Sequence, residues 1–307
     1  MIVTCTLNPS LDYYMESKEP IIPGTTMRSD LEYYEAGGKG INVSIVLNNL
    51  QVPTRATGFV GGFTKDFYIK LLEKYSYIQP NFTYIEGHTR VNVKFQDGNM
   101  ETELNATGPY VTNNDMENLM LKTNRLDEGD YFVLGGGCQP YLKEYISAML
   151  ERLMNDGVRV CLDTNRWVLD DVQQYHPFLV KTRDIYESQY CGKELSRDEL
   201  INKLIEIHEN GSQNVICTMN GGREALFVND TGIYFSEMTT NEHAVSMIGT
   251  GDALVGGFLM SSLGSTDQVD AFRFGSCCSE ATAYSKGFAT REKVLSQYEK
   301  SEVTKLR

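Results

Sequence analysis

Six short apolar runs, Ile2–Leu7, Ala56–Val60, Tyr131–Leu134, Val158–Leu162, Phe178–Lys181 and Val215–Thr218, are separated for the most part by helix-like segments. This alternation is the strongest constraint on the chain. Runs so short and so continuously apolar suit strands buried on both faces, and strands that alternate with helices form a mostly parallel sheet wrapped on both sides. Between two of the runs, Tyr141–Met154 places Leu142, Tyr145, Met149, Leu150 and Leu153 on one helical stripe. Further on, Ser196 stands three residues before Glu199 and ahead of Leu200, Leu204 and Ile207, the pattern of a capping box that opens another helix. A chain of 307 residues with this pattern supports one main α/β core and an appendage.

Two segments break the rhythm, 13–35 and 84–104. In the second, Thr89–Phe95 alternates and Asp97-Gly98-Asn99 is a hairpin signal. They read as a small β lid (13–35 and 84–104) on a large domain built from 1–12, 36–83 and 105–307. A lid at the edge of the main sheet could exclude water from a pocket during group transfer.

Charge and cysteine content narrow the function classes. With 41 acidic against 28 basic side chains the net charge is −13, which disfavours nucleic acid and anionic membranes as partners. An anionic substrate would need locally placed cations. Met1 leads straight into an apolar run too short for a signal peptide, and no stretch approaches a membrane span, so a cytoplasmic location is expected. The seven cysteines form no Cys-x-x-Cys pair and read as reduced, mostly buried thiols.

Two glycine clusters could carry chemistry. Gly249-Thr250-Gly251-Asp252 runs directly into a helical pattern. A glycine turn into a helix bares backbone N–H groups at the positive end of the helix dipole, where anionic oxygens bind. Asp252, in the first turn, could then accept a hydroxyl proton as general base. The plainer alternative is an aspartate that caps a helix after a glycine turn. The second cluster, Gly37-Gly38-Lys39-Gly40-Ile41-Asn42, is not a Walker A loop, because no Ser or Thr follows Lys39. It offers open backbone, a cation and an amide, a mixture suited to sugar hydroxyls and phosphate.

Together with Asn8-Pro9-Ser10-Leu11-Asp12, these clusters resemble, in order and spacing, the PfkB/ribokinase family of carbohydrate kinases, from about Thr4 to about Ala289. The resemblance implies a ribokinase-like three-layer α/β sandwich with a mostly parallel central sheet and a small β-sheet lid. It implies Asp12, Gly38 and Asn42 on sugar hydroxyls, Gly249, Thr250 and Gly251 as an anion hole, and Asp252 as catalytic base. ATP with Mg²⁺ would be the phosphoryl donor. A homodimer through the lid follows by analogy alone.

Thr89-Arg90-Val91-Asn92-Val93-Lys94 and Glu101-Thr102-Glu103-Leu104-Asn105 resemble the branch of the family that acts on phosphorylated ketoses. On a strand, Arg90, Asn92 and Lys94 share one face and could grip a phosphate already on the sugar, with Arg28 and Lys39 completing the set. A solvated lid face is the alternative. The implied reaction is conversion of fructose 1-phosphate to the 1,6-bisphosphate, with tagatose 6-phosphate as alternative acceptor.

The nucleotide side departs from the family pattern. Relatives commonly read Lys-Pro-Asn-x-x-Glu where this chain has Lys181-Thr182-Arg183-Asp184-Ile185-Tyr186, with Glu187 one residue late. Thr218-Met219-Asn220-Gly221-Gly222-Arg223-Glu224 likewise departs from Ser/Thr-x-Gly. Lys181, Arg183, Glu187, Thr218 and Gly221 are the candidate nucleotide-binding residues, and no metal ligand is assigned. Either Arg183 and Arg223 take over charge neutralisation, or transfer is crippled and the chain is a catalytically weak sugar-phosphate-binding regulator.

Overall fold

A computed structural model describes residues 1–97, 100–239 and 244–307, so Gly98 and Asn99 of the expected hairpin lie outside the described residues. In chain order the first half holds β1 (Ile2–Thr6), β2 (Ser10–Ser17), β3 (Leu31–Gly37), α1 (Lys39–Asn49), β4 (Thr54–Gly61), α2 (Gly62–Leu72), β5 (Ile78–Pro80), β6 (Thr83–Ile85), β7 (Arg90–Asp97), β8 (Met100–Leu104), α3 (Asn113–Thr123), β9 (Tyr131–Gly135) and α4 (Lys143–Asn155). The second half holds β10 (Arg159–Asp163), α5 (Arg166–Val172), β11 (Leu179–Arg183), α6 (Asp184–Cys191), α7 (Arg197–Glu209), β12 (Asn214–Met219), β13 (Glu224–Asn229), β14 (Gly232–Glu237), α8 (Thr250–Ser262), α9 (Gln268–Ala283), α10 (Arg291–Tyr298) and β15 (Thr304–Lys305).

The six expected strands are β1, β4, β9, β10, β11 and β12, and they lie side by side. The large sheet has the order β15-β14-β13-β12-β11-β10-β9-β1-β4-β5, with β6 also paired to β4. Pairing is parallel from β12 across to β5, and antiparallel where β13, β14 and β15 extend one edge. Because successive side chains point to opposite faces, each continuous apolar run feeds two cores. Phe132, Leu134, Val160, Leu162, Val180, Val215 and Cys217 pack with Met116 of α3, Met149 of α4, Val168 of α5 and Leu204 of α7. Their neighbours Tyr131, Val133, Cys161, Leu179 and Ile216 pack with Leu47 of α1, Phe258 of α8 and Phe272 of α9. The result is three layers, helix on sheet on helix.

Local signals were realised with small shifts. Ser196 and Glu199 form the reciprocal capping box of α7. The stripe over Tyr141–Met154 becomes a 3-10 turn, Pro140–Leu142, and then α4, because proline suits the opening position of a helical turn and cannot continue a ladder. All seven cysteines are free thiols, six of them buried and Cys191 exposed. Among the described residues no helix is long and apolar enough to cross a membrane.

The smaller sheet has the order β3-β2-β7-β8. Its strands differ at the edges from the expected segments 13–35 and 84–104. β2 begins at Ser10, while Thr83–Ile85 pairs with β4 of the large sheet. Alternation divides this sheet into a polar face with Asp12, Arg90, Asn92, Lys94 and Glu103 and an apolar face with Tyr13, Met15, Val91, Val93, Phe95 and Leu104.

Helix α8 is the element that delivers the Gly249–Asp252 turn, and its position is set by close approach. A Cβ on Gly256 would lie 2.7 Å from Val46 Cγ1 of α1, and one on Gly257 would lie 2.5 Å from Cys278 Sγ and 2.9 Å from Gly275 Cα of α9. Glycine inside a helix costs about 1 kcal/mol against alanine, so these two positions gain through packing what they lose in propensity. Gly257→Ala should therefore destabilise the chain by about 1–3 kcal/mol despite its better helix propensity, read from the midpoint of urea unfolding. An unchanged or raised midpoint would show that α9 yields freely.

Candidate active site

The parallel strands bring their carboxyl ends to one edge, where open α/β sheets hold ligands. There stand Thr6 of β1, Gly135 of β9, Asp163 of β10, Lys181 of β11 and Thr218 of β12. Asp163 is buried and organises this edge. Its Oδ1 accepts from Lys39 Nζ at 2.7 Å, and its Oδ2 lies 3.4 Å from Lys181 Nζ. Burial alone would raise its pKa, but the two ammonium groups, Lys181 foremost, hold it below the ordinary carboxylate range. Burial would likewise lower the pKa of Lys39, yet Asp163 and Asp252 outweigh it and raise it.

The Gly249–Asp252 turn lies directly over this cluster. Gly249 adopts the left-handed conformation, φ 78°, and supplies no side-chain cap to α8. Thr250 N–H donates to Met247 O at 3.5 Å, and the N–H groups of Gly251 and Asp252, which have no carbonyl partner within the helix, are the ones a ligand could take up. A Cβ on Gly251 would lie 2.8 Å from Lys181 Nζ, so that ammonium sits immediately behind the turn. Thr250 spends its hydroxyl on Met247 O, 2.9 Å away, and contributes to the turn through backbone alone. Asp252 is buried and accepts from Asn42 Nδ2 at 2.7 Å. Burial pushes its pKa up to about 6, with Lys39 opposing and the negative Asp163 adding to the rise. A plain N-cap aspartate accepts bonds from its own helix, whereas this one faces across to α1.

Asn42 connects the turn to the lid. It lies in the first turn of α1, whose start is fixed by Ile41 N–H donating to Thr6 Oγ1 at 3.2 Å. At the other end of the same short segment, Gly37 packs so closely on Asp12 that any side chain there would collide with the carboxylate. Asp12 Oδ1 accepts from Ser10 Oγ at 2.6 Å and from Asn92 Nδ2 at 3.0 Å, and burial raises its pKa. Gly37–Asn42 therefore spans from Asp12 to Asp252 and places Gly38 and Lys39 between them.

The cations are distributed unequally. Lys94 is buried, 2.7 Å from Glu103 and 3.8 Å from Asp12, so the solvated-face alternative does not describe it. Arg90 donates to the carbonyls of Asn8 (3.1 and 3.3 Å) and Ala106 (3.0 Å), which ties the lid to the loops beneath it. Lys39 is not in the lid set, since its ammonium belongs to Asp163 at the Asp252 end. Arg28 is exposed on the loop between β2 and β3, and among the described residues no hydrogen bond or ion pair joins it to the other candidates.

On the nucleotide side Thr218 is buried and its hydroxyl faces Thr182 O at 3.4 Å. Asn220 has φ 51°, a conformation that glycine takes most easily and asparagine tolerates. Gly221 and Gly222 follow with positive φ, and a Cβ on Gly222 would lie 3.1 Å from Thr250 Oγ1, so this turn abuts the Gly249–Asp252 turn. Arg183 is exposed, stacked 5.0 Å from the Tyr186 ring, and Lys39 Nζ lies 6.0 Å from the same ring. Glu187 points the other way. It is 2% exposed, with one oxygen on Arg166 at 2.7 Å and the other on Thr182 Oγ1 at 2.8 Å, so it is not brought to the site.

Sequence reasoning missed Asp163, although a carboxylate one residue past an expected buried strand is a signal in itself. Thr6 goes unremarked, and Glu103 and Tyr186 enter only as letters of the quoted motifs, because their contacts with Ile41, Lys94 and Lys39 arise from tertiary structure.

Comparisons place this arrangement. The model of the pfkB family of carbohydrate kinases matches residues 9–293. The 1-phosphofructokinase of Bacillus subtilis is 33% identical over the whole of both chains, and the D-tagatose-1-phosphate kinase of Bacillus licheniformis is 26% identical over the whole of both. A solved structure from Thermotoga maritima, named a possible 1-phosphofructokinase, superposes with a TM-score of 0.88 at 25% identity over all of both chains. With its glycine turn, buried aspartate and lid assembled at one sheet edge, the chain belongs to the pfkB family of carbohydrate kinases.

Proposed function

We propose that the chain transfers the γ-phosphoryl group of ATP to the free primary hydroxyl of a ketohexose 1-phosphate, with fructose 1-phosphate as the preferred acceptor. The observation that carries this reading is the Gly37–Asn42 bridge, which holds a polar, cation-bearing lid face at one end and a buried base beside an anion turn at the other. A sugar lying along it would present its existing phosphate to Lys94 and Arg90 and its hydroxyls to Asp12, Gly38 and Asn42. Its reacting hydroxyl would then lie near Asp252. The likeness to 1-phosphofructokinases supports fructose 1-phosphate, and the likeness to D-tagatose-1-phosphate kinase supports its C4 epimer as a second acceptor. Both sugars leave the same end free.

Phosphoryl transfer through a loose transition state demands mainly positioning and charge neutralisation. The N–H groups of Gly251 and Asp252, backed by Lys181, would hold the transferring oxygens, and Lys39 is placed to follow the charge as it moves. Asp252 need accept the hydroxyl proton only late. A base with a pKa near 6 does this better than one near 4 and is still ionised at pH 7.

Magnesium fits poorly as an ion held by the protein. Among the described residues no group of three or more His, Cys, Asp or Glu could hold a metal, Arg183 and Tyr186 replace the expected Asn and Glu, and Glu187 is locked inward. Any magnesium would arrive on the nucleotide's own phosphates, and the chain's part in neutralisation falls to Lys39, Lys181, Arg183 and Arg223. We further propose a homodimer through the apolar lid face, on which Val91, Leu104 and Tyr34 are 37%, 60% and 38% exposed.

Four outcomes are expected. An ADP-release panel should show turnover with fructose 1-phosphate above tagatose 1-phosphate, and little with tagatose 6-phosphate or the free sugars; release no faster than the background with every acceptor would leave a sugar-phosphate-binding regulator instead. Asp252→Asn should lower kcat about a hundredfold or more while calorimetric binding of fructose 1-phosphate persists. Since the ionised base is the active form, wild-type kcat/KM should fall tenfold per pH unit below about pH 6, and a profile flat to pH 5 would remove Asp252 from the proton transfer. Sedimentation should give a dimer for the unsubstituted chain and a monomer for Val91→Glu, whereas a monomeric unsubstituted chain would sink the lid interface.

A further inference from the structure

A cavity of about 940 Å³ is lined by none of the residues assigned to the kinase site. It lies at the β4 edge of the large sheet, where β5 pairs with the start of β4, β6 pairs with its end, and the Asn81–Phe82 break between them leaves a gap walled by α2 and α3. Its wall carries Arg55, Lys122 and Arg125 and not one carboxylate. In a chain with 41 acidic and 28 basic side chains, this segregation calls for a reason.

Among the described residues the three cations have no ionic partner. Lys122 Nζ donates only to neutral oxygens, Phe82 O at 2.7 Å, Asn81 O at 3.2 Å and Asn81 Oδ1 at 3.4 Å. Its pKa is lowered by burial alone, as for an ammonium that no nearby carboxylate compensates. Arg55 reaches only the amide oxygen of Gln79, at 3.4 Å from both Nε and Nη2, which leaves its fork open. The carboxyl end of α3, adjacent to Lys122 and Arg125, adds roughly half a negative charge, far short of three full positive ones. Tyr84, 63% exposed, supplies an aromatic face in the same wall. Unpaired guanidinium forks in a concave wall beside an exposed ring match phosphate oxygens carried by a ring-bearing molecule.

We propose that this cavity is a second ligand site, separate from the kinase site, for a small multiply phosphorylated metabolite, held by Arg55, Lys122 and Arg125. Nucleotides and sugar bisphosphates share that chemistry. The assignment rests on the cavity alone and stands whatever sugar the kinase site takes.

The test counts sites on the full chain by equilibrium dialysis with ADP, fructose 1,6-bisphosphate and pyrophosphate, comparing wild type with the double variant Arg55→Glu/Arg125→Glu. At least one probe should occupy one more site per chain on wild type, and the double variant should lose that site or bind it at least tenfold more weakly. Its kcat without added ligand should stay unchanged, because neither arginine touches the kinase site. ADP alone at the extra site identifies a nucleotide, the bisphosphate alone a sugar phosphate, and all three equally a site that reads phosphate without the ring. Lys18→Glu, a charge reversal far along the lid, controls for the overall field and should leave the extra site intact. Identical stoichiometry and affinity in wild type and double variant for all three probes, or equal weakening by Lys18→Glu, overturns the assignment.

Discussion

One buried carboxylate, Asp163, makes the rest of the site tenable. Two ammonium groups at the end of a parallel sheet would repel each other and could not both stay charged out of water. Asp163, between Lys39 and Lys181, turns that liability into a fixed array. Its position follows from the sheet, because β10 lies between β9 and β11 and ends beside the start of α1. Lys181 can then stand behind the α8 turn without an exposed counter-ion, and Lys39 can lie between two carboxylates of unequal basicity. The inequality has a plain cause. Asp163 has two cations in contact and stays ionised, while Asp252 has an amide in contact and is pushed towards neutrality by burial. Two carboxylates with pKa values driven apart is the arrangement expected where one holds charge and the other moves a proton.

The fold was legible in the sequence to the degree that physics made it local. Continuous apolar runs, the Ser196–Glu199 box and the alternation over Thr89–Phe95 each state their structure within a few residues, and each appears as a buried strand, a capped helix and a lid strand. The shared face of Arg90, Asn92 and Lys94 follows from the two-residue period alone. What could not be read depends on partners distant in sequence. Nothing near Lys39 announces that it will pair with Asp163, 124 positions away, in place of joining the lid cations. Tyr84 looked like the start of the lid but was recruited by the edge of β4, because a short strand follows whichever edge offers open N–H and C=O groups.

The nucleotide side shows a motif lost in its letters and partly kept in its geometry. Asn220 replaces glycine yet holds positive φ, so the turn next to Thr250 keeps its course. Its side chain donates to Glu224 at 3.0 Å and its N–H to Asp184 at 3.0 Å, which anchors two acids that would otherwise confront a triphosphate. Glu187 is withdrawn by Arg166 in the same way. The local charge thus moves in a positive direction, with acids tied down while Arg183 and Lys39 flank Tyr186. A surface built so is suited to neutralising phosphate with side chains more than to building a cage for a divalent ion.

The lid raises the opposite question, why the cations proposed to grip a substrate should be paired already. Lys94 contacts Glu103 and Asp12, and Arg90 is spent on backbone carbonyls. An unpaired ammonium as deeply buried as Lys94 would carry a heavy desolvation cost, and Glu103 on the neighbouring strand offsets it. That carboxylate is 36% exposed and can turn to water when a phosphate arrives, whereas Asp12, held by Ser10 and Asn92, cannot. Under the proposed function, exchange of Glu103 for phosphate would keep Lys94 neutralised throughout. It would also give the lid a reason to prefer a dianionic group over a bare hydroxyl, because a neutral sugar could not displace the glutamate. Selectivity for a phosphorylated acceptor would then arise from a competition inside the protein as much as from direct attraction.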